Sequence, residues 1–263
     1  MKSKNTLLWK ITSPQNSPPS YLFGTMHLWD ERAILLMQEV APIINEVEIF
    51  AAETAIGELN EMSNEVMFLP ENKTLADFFK PKKILKIKRN VKKILAIPYE
   101  QIERFQPMVL TNFFAAKAVA EHGQYRIDDM LWQFALSANK PCIGIESVAE
   151  QMAIFQKIPL SFQCKQFLDT IKNVGKYSKQ YKKMASLYEK GDILALYHHA
   201  KASMGKLRKP LVYDRNVLMA DRIANLTSEK TAFVAIGAGH LAGQKGVIHL
   251  LRKKGFLVET LCN

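Results

Sequence analysis

One stretch, residues 231–251 (TAFVAIGAGHLAGQKGVIHLL), constrains the fold more than any other part of the chain. An apolar run of strand length, 232–236, breaks into Gly237-Ala238-Gly239-His240, and a helical pattern follows. A strand, turn and helix of this kind puts the imidazole at the carboxyl end of a buried strand, the edge at which open α/β sheets hold their ligands. Gly237 and Gly239 are expected to supply backbone angles forbidden to side chains and to let a ligand approach the main chain. The same grammar recurs in Tyr21-Leu22-Phe23-Gly24-Thr25-Met26-His27. Two Gly-x-x-His motifs, each after an apolar strand, are expected to face one site.

Two more apolar runs end on a polar side chain. Residues 47–52 lead into Glu53-Thr54, and 141–145 (PCIGI) lead into Glu146. Parallel strands linked by helices line such ends along one sheet edge, so His27, Glu53, Glu146 and His240 are expected together there. Two imidazoles and two carboxylates suit a metal or acid-base site. Arg215, in Tyr213-Asp214-Arg215-Asn216 at the start of a helical pattern over 211–226, could hold an anionic substrate group or a developing oxyanion.

The remaining pattern is helical, with few strands. Residues 7–11 and 21–23 read as an antiparallel pair across a proline-rich loop. A helix is predicted over 33–45, kinked or stopped at Pro42. Further helices are predicted over 108–120, 127–138, 148–155 and, with breaks at Gly175 and Gly191, 160–204; a last strand falls at 256–261. The expected architecture is α/β: a central, mostly parallel sheet flanked by helices, with a helical insertion in the middle. It forms a single domain over 1–263, with two Gly-x-x-His halves, about 1–56 and 205–263. The helical middle, about 57–204, contributes the strand 141–145. The adjacent His198 and His199 point about 100° apart on a helix and are not expected to share a ligand.

Composition narrows the function classes. With 48% hydrophobic and 23% charged residues the chain is globular, and no apolar run reaches the length of about 18 residues that a bilayer requires. Three cysteines (Cys142, Cys164, Cys262) are too few for a disulfide framework or a thiolate cage. A formal charge of +11 invites a nucleic-acid reading. Much of it sits in 80–93 (KPKKILKIKRNVKK), where Ile84, Leu85, Ile87 and Val91 mark an amphipathic helix with a solvated lysine face. No nucleic-acid motif accompanies it, so no nucleic-acid partner is expected. As it stands the chain reads as cytoplasmic, and as periplasmic or secreted if an export signal has been cleaved from it.

The ordered blocks FGTMH, AAET, RIDDML, GIESVAEQM, YDRN and AIGAGH resemble the signature blocks of the TraB/GumN family, which includes the Tiki proteins, from Leu8 to Leu261. The resemblance implies a fold related to the ChaN and erythromycin-esterase group, and a metal-dependent peptidase. It implies His27, Glu53 and His240 as ligands of a divalent ion (manganese, cobalt or zinc) and Glu146 and Arg215 as catalytic positions. The turn glycines would be Gly24, Gly237 and Gly239. The expected partner is a peptide or protein substrate. A non-catalytic peptide-binding or regulatory protein on the same scaffold is the alternative.

Overall fold

A computed structural model of the chain describes residues 5–15, 18–26, 32–56, 67–119 and 126–261. These form two compact units, the first built from residues 1–58, 123–147 and 183–263 and the second from 59–122 and 148–182.

The first unit holds a six-stranded mixed sheet in the order β4-β3-β5-β2-β1-β6, with β1 Leu8–Thr12, β2 Ser20–Thr25, β3 Ile49–Thr54, β4 Cys142–Glu146, β5 Ala232–Gly237 and β6 Leu257–Thr260. β4, β3, β5 and β2 run parallel, and β1 is antiparallel to both β2 and β6. The central strands are apolar at almost every position because both faces are covered. On one face Leu22, Val234 and Ala51 stand in register. They join a core with Met219, Ala220, Ile223 and Ala224 of the helix Asp214–Glu229 and Val247, Ile248 and Leu251 of the helix Val247–Lys253. On the other, Phe50 stacks on Phe233 with ring centroids 6.0 Å apart, and Trp132 of the helix Ile127–Ser137 meets Phe50 edge-on.

Of the kink or stop expected at Pro42 the stop is absent, since the helix Arg32–Glu46 runs through it. Fully buried Val40 and Ile44 on either side of the proline anchor it, which offsets the hydrogen bond that proline removes. The segment 183–204, expected with the helical middle, belongs instead to the sheet unit. Fully buried Tyr188 ties it there: its hydroxyl donates to the Gly24 carbonyl at 2.7 Å.

The second unit is helical among its described residues. Its core joins the helices Pro81–Leu95, Pro107–Val119 and Leu160–Lys172 through Ile87, Val91, Leu110, Phe114, Phe167 and Ile171. Prolines open the first two, where the missing N–H is no loss. Leu85, expected on the apolar face of the basic helix, is 68% exposed. Two residues before Ile87 it lies about 200° round the helix, among the lysines. The predicted break at Gly175 falls instead at Asn173, and Gly175 is helical; the break at Gly191 is present, with φ +62°. Among the described residues no helix is long and apolar enough to cross a membrane.

Candidate functional site

The carboxyl ends of the four parallel strands line one edge, as registered pairs: Thr25 beside Gly237 and Thr54 beside Glu146. The sequence therefore delivers Glu53 and Glu146 to neighbouring strand ends and His240 to the short turn Ala238–His240 after β5. His27, two residues beyond the end of β2, lies outside the described residues.

Arg215 joins the two carboxylates. It enters from the first turn of the helix Asp214–Glu229, whose Met219, Ala220 and Ile223 are pinned to the sheet. Its Nη2 donates to Glu53 Oε1 at 2.5 Å and to Glu146 Oε2 at 2.6 Å. Its Nε donates to both Glu146 oxygens at 3.2 and 3.0 Å, and Nη1 reaches the Leu211 carbonyl at 3.3 Å. That carbonyl is presented by the π-helical turn Lys209–Tyr213. The side chains are shielded, with 12% exposure for Arg215, 18% for Glu53 and 1% for Glu146. Burial alone would lower the guanidinium pKa. The hydrogen bonds to Glu146 and the charges of Glu53 and Glu146 outweigh it and raise the value. Among the described residues two carboxylates meet one guanidinium here, an excess of negative charge that a cation would complement.

Glu53 Oε2 also accepts the Gly237 N–H at 2.9 Å. A methyl group at Gly237 would stand 3.2 Å from that oxygen and 3.4 Å from His240 Cδ2, so carboxylate and imidazole lean on the same glycine. Its φ is −52°, and neither Gly237 nor Gly239 has a positive φ. The expectation of forbidden backbone angles is thus corrected: close approach is what would crowd a side chain at Gly237, whereas Gly239 meets only Ala200 Cβ at an ordinary 3.7 Å. Gly24 serves close approach as well. A Cβ there would stand 2.7 Å from Leu241 Cδ1 and 3.2 Å from Ala238 Cβ, so its absence lets β2 lie against the His240 turn.

His240 is 9% exposed and oriented by Asn216, which is fully buried. Asn216 Nδ2 donates to the Lys245 carbonyl at 2.6 Å, which turns its Oδ1 toward His240 Nδ1, also at 2.6 Å. An amide oxygen only accepts, so Nδ1 carries the hydrogen and the lone pair of the neutral ring is on Nε2. A buried acceptor on one ring nitrogen is the usual support of a metal-ligating histidine. The donor chemistry, an imidazole beside carboxylates at an edge of residual negative charge, fits a divalent ion. Among the described residues no three acids, histidines or cysteines form a complete cage.

Sequence reasoning singled out Glu53, Glu146, Arg215 and His240, and the structure brings all four to one edge. It missed Asn216, although the YDRN block contains it. The available signal was adjacency, since a buried amide next to a site arginine on a helix faces a neighbouring sector of the same edge. Tyr188, which holds the Gly24 carbonyl from 164 residues away, leaves no local trace in the sequence.

Comparison with known proteins places these features in context. The model of the TraB/PrgY/gumN family matches residues 7–260. The Danio rerio protein named metalloprotease TIKI1 is 26% identical, over 97% of this chain and 63% of its own length. A metalloprotease TIKI homolog of Amphimedon queenslandica is 25% identical over 98% of this chain and 62% of its own length. A Nematostella vectensis homolog is 40% identical over a stretch covering 20% of this chain. The chain thus spans less than two thirds of the first two relatives. No solved structure matches it significantly.

Proposed function

Because the chain belongs to the TraB/PrgY/gumN family, we propose that it is a metal-dependent peptide hydrolase, with a divalent ion held at the carboxyl edge of the sheet by His240 and Glu53 and by His27 as third ligand. The observation that carries this reading is the Asn216 to His240 hydrogen bond, which fixes the tautomer a ligating imidazole needs. The metalloprotease names of distant relatives support it.

The chemistry such an ion supplies is Lewis acidity, which acidifies water and polarises a peptide carbonyl. The chain's own residues set the geometry. Arg215 holds Glu53 against the Gly237 N–H and so fixes the carboxylate beside His240. Glu146, expected as a catalytic position, accepts from Arg215 through both oxygens. We therefore read it as the residue that positions Arg215. Gly24 and Gly237 let β2 and the Glu53 carboxylate lie close to the His240 turn.

A second reading, a peptide-binding protein without catalysis, is favoured by one observation: both Glu53 oxygens already accept hydrogen bonds, from Arg215 and from Gly237. A peptide-library digest with manganese, cobalt or zinc separates the two. The hydrolase reading expects metal-dependent cleavage that His27→Ala and His240→Ala each abolish. Equal cleavage by wild type and both variants would sink it. Peptide capture without cleavage under any metal would favour the binding protein.

A further inference from the structure

A second cluster adjoins the His240 centre. Tyr197, from the helix Ile193–Met204, and Tyr213 bring their hydroxyls within 3.4 Å of each other. Lys245 Nζ lies 4.8 Å from the centre of the Tyr213 ring and the Arg208 guanidinium carbon 5.9 Å from it; Lys201 Nζ stands 5.9 Å from the Tyr197 ring. Among the described residues none of these three cations has a carboxylate partner. Asp214, the acid nearest to Arg208 in sequence, is held by Lys209 at 2.9 Å.

The cluster is built into the fold. Gly243 has φ +87°, and a Cβ there would stand 2.7 Å from Tyr197 Cζ, so the ring position depends on the glycine. The same helix packs on the His240 turn, with Ala200 Cβ against Gly239. Tyr213 lies two residues before Arg215, and the Lys245 carbonyl is the group Asn216 binds while it orients His240. The cluster thus stands on the same short segments that build the proposed metal centre. The Tyr197 hydrogen bond first, and then the charges of Arg208 and Lys201, pull the Tyr213 phenol below its ordinary value against the effect of burial, while the same hydrogen bond pushes Tyr197 up.

We propose that Arg208, Tyr213, Lys245 and Tyr197 form a carboxylate-binding subsite beside the His240 centre, which selects peptides carrying an acidic side chain or a free terminal carboxylate. Cations offer charge-assisted hydrogen bonds to a carboxylate, and phenol hydroxyls donate to it in a fixed direction. That the ligand is a peptide rests on the hydrolase reading above; the affinity for a carboxylate does not.

The test is equilibrium binding of short fluorescein-labelled peptides to the full chain, by anisotropy, with EDTA present so that no cleavage intervenes. Three peptides share one sequence: an internal Glu pair with an amidated end, the matching Gln pair with an amidated end, and the Gln pair with a free carboxyl end. The Glu or the free-carboxyl peptide should bind roughly tenfold tighter than the amidated Gln peptide, and which one does so identifies the source of the carboxylate. The preference should vanish in Arg208→Gln/Lys245→Gln and persist in Lys245→Arg. Equal affinity for all three peptides, or a preference unchanged in the double variant, would overturn the subsite. A preference without cleavage under any metal would count against the hydrolase and leave the subsite standing; cleavage without preference would do the reverse.

Discussion

Arg215 is stable inside the fold because it never loses its counter-charges. A guanidinium with 12% exposure would be costly alone, yet it donates to two carboxylates and a backbone carbonyl. Removing it leaves Glu53 and Glu146 facing each other in shielded surroundings. Arg215→Met is expected to destabilise the protein by about 3–5 kcal/mol, and adding Glu146→Gln should recover part of that loss. Urea unfolding of the single and double variants checks both. Tyr188 carries a separate prediction. Its phenol pKa is raised well above 10.0, first by complete burial and then by the charge of Asp128, against a backbone hydrogen bond that lowers it. A raised pKa means that its contribution is full below the unfolded value and is lost as pH climbs beyond it. Tyr188→Phe should cost about 1 kcal/mol at neutral pH, through the orphaned Gly24 carbonyl, and should blunt the alkaline loss of stability above about pH 10. Circular dichroism melts across that range are the measurement. Glu53, Glu146 and the His240 turn were legible in the sequence because each follows an apolar run, and Arg215 because it lies at the start of a helical pattern. Asn216 and Tyr188 were not, since their roles depend on contacts 24 and 164 residues away.

Strand ends decide which side chains meet. β3 and β5 are parallel neighbours, so Glu53 and the His240 turn emerge on the same edge whatever the helices between them do. Strand existence and direction could be read from short apolar runs with glycine or proline flanks. Strand boundaries could not: β3 begins at Ile49 and includes Glu53, two residues later than its pattern suggested. That the helix continues through Pro42 rather than stopping could not be read either, because local propensity says nothing of the anchoring that Val40 and Ile44 provide. At this scale the glycines make the sharpest prediction. Gly237→Ala would press a methyl against Glu53 Oε2 and His240 Cδ2, at 3.2 and 3.4 Å, and should weaken metal binding more than it weakens the fold. Gly24→Ala meets backbone and core atoms of the His240 turn, at 2.7 to 3.3 Å, and should chiefly lower the melting temperature. Thermal melts paired with metal titration distinguish these outcomes, and the reverse order would contradict the assignment of roles.

At the scale of the molecule, a sheet unit carries the candidate site and a helical unit carries much of the basic charge, with seven lysines and one arginine among residues 80–93. The α/β class was legible because the strand patterns are separated by helical ones. The assignment of 183–204 to the sheet unit was not, because Tyr188 and Tyr197 look like any helical aromatics until their partners are known. On the proposed reading the edge built by Glu53, Arg215, Asn216 and His240 holds a divalent ion. Calorimetric titration of chelator-stripped protein with manganese or zinc tests it most directly. The account predicts one ion per chain, with affinity about 10- to 100-fold lower in Asn216→Ala and lower still in His240→Ala, while circular dichroism shows both variants folded. No saturable binding by the wild type, or equal affinity in wild type and His240→Ala, would contradict it.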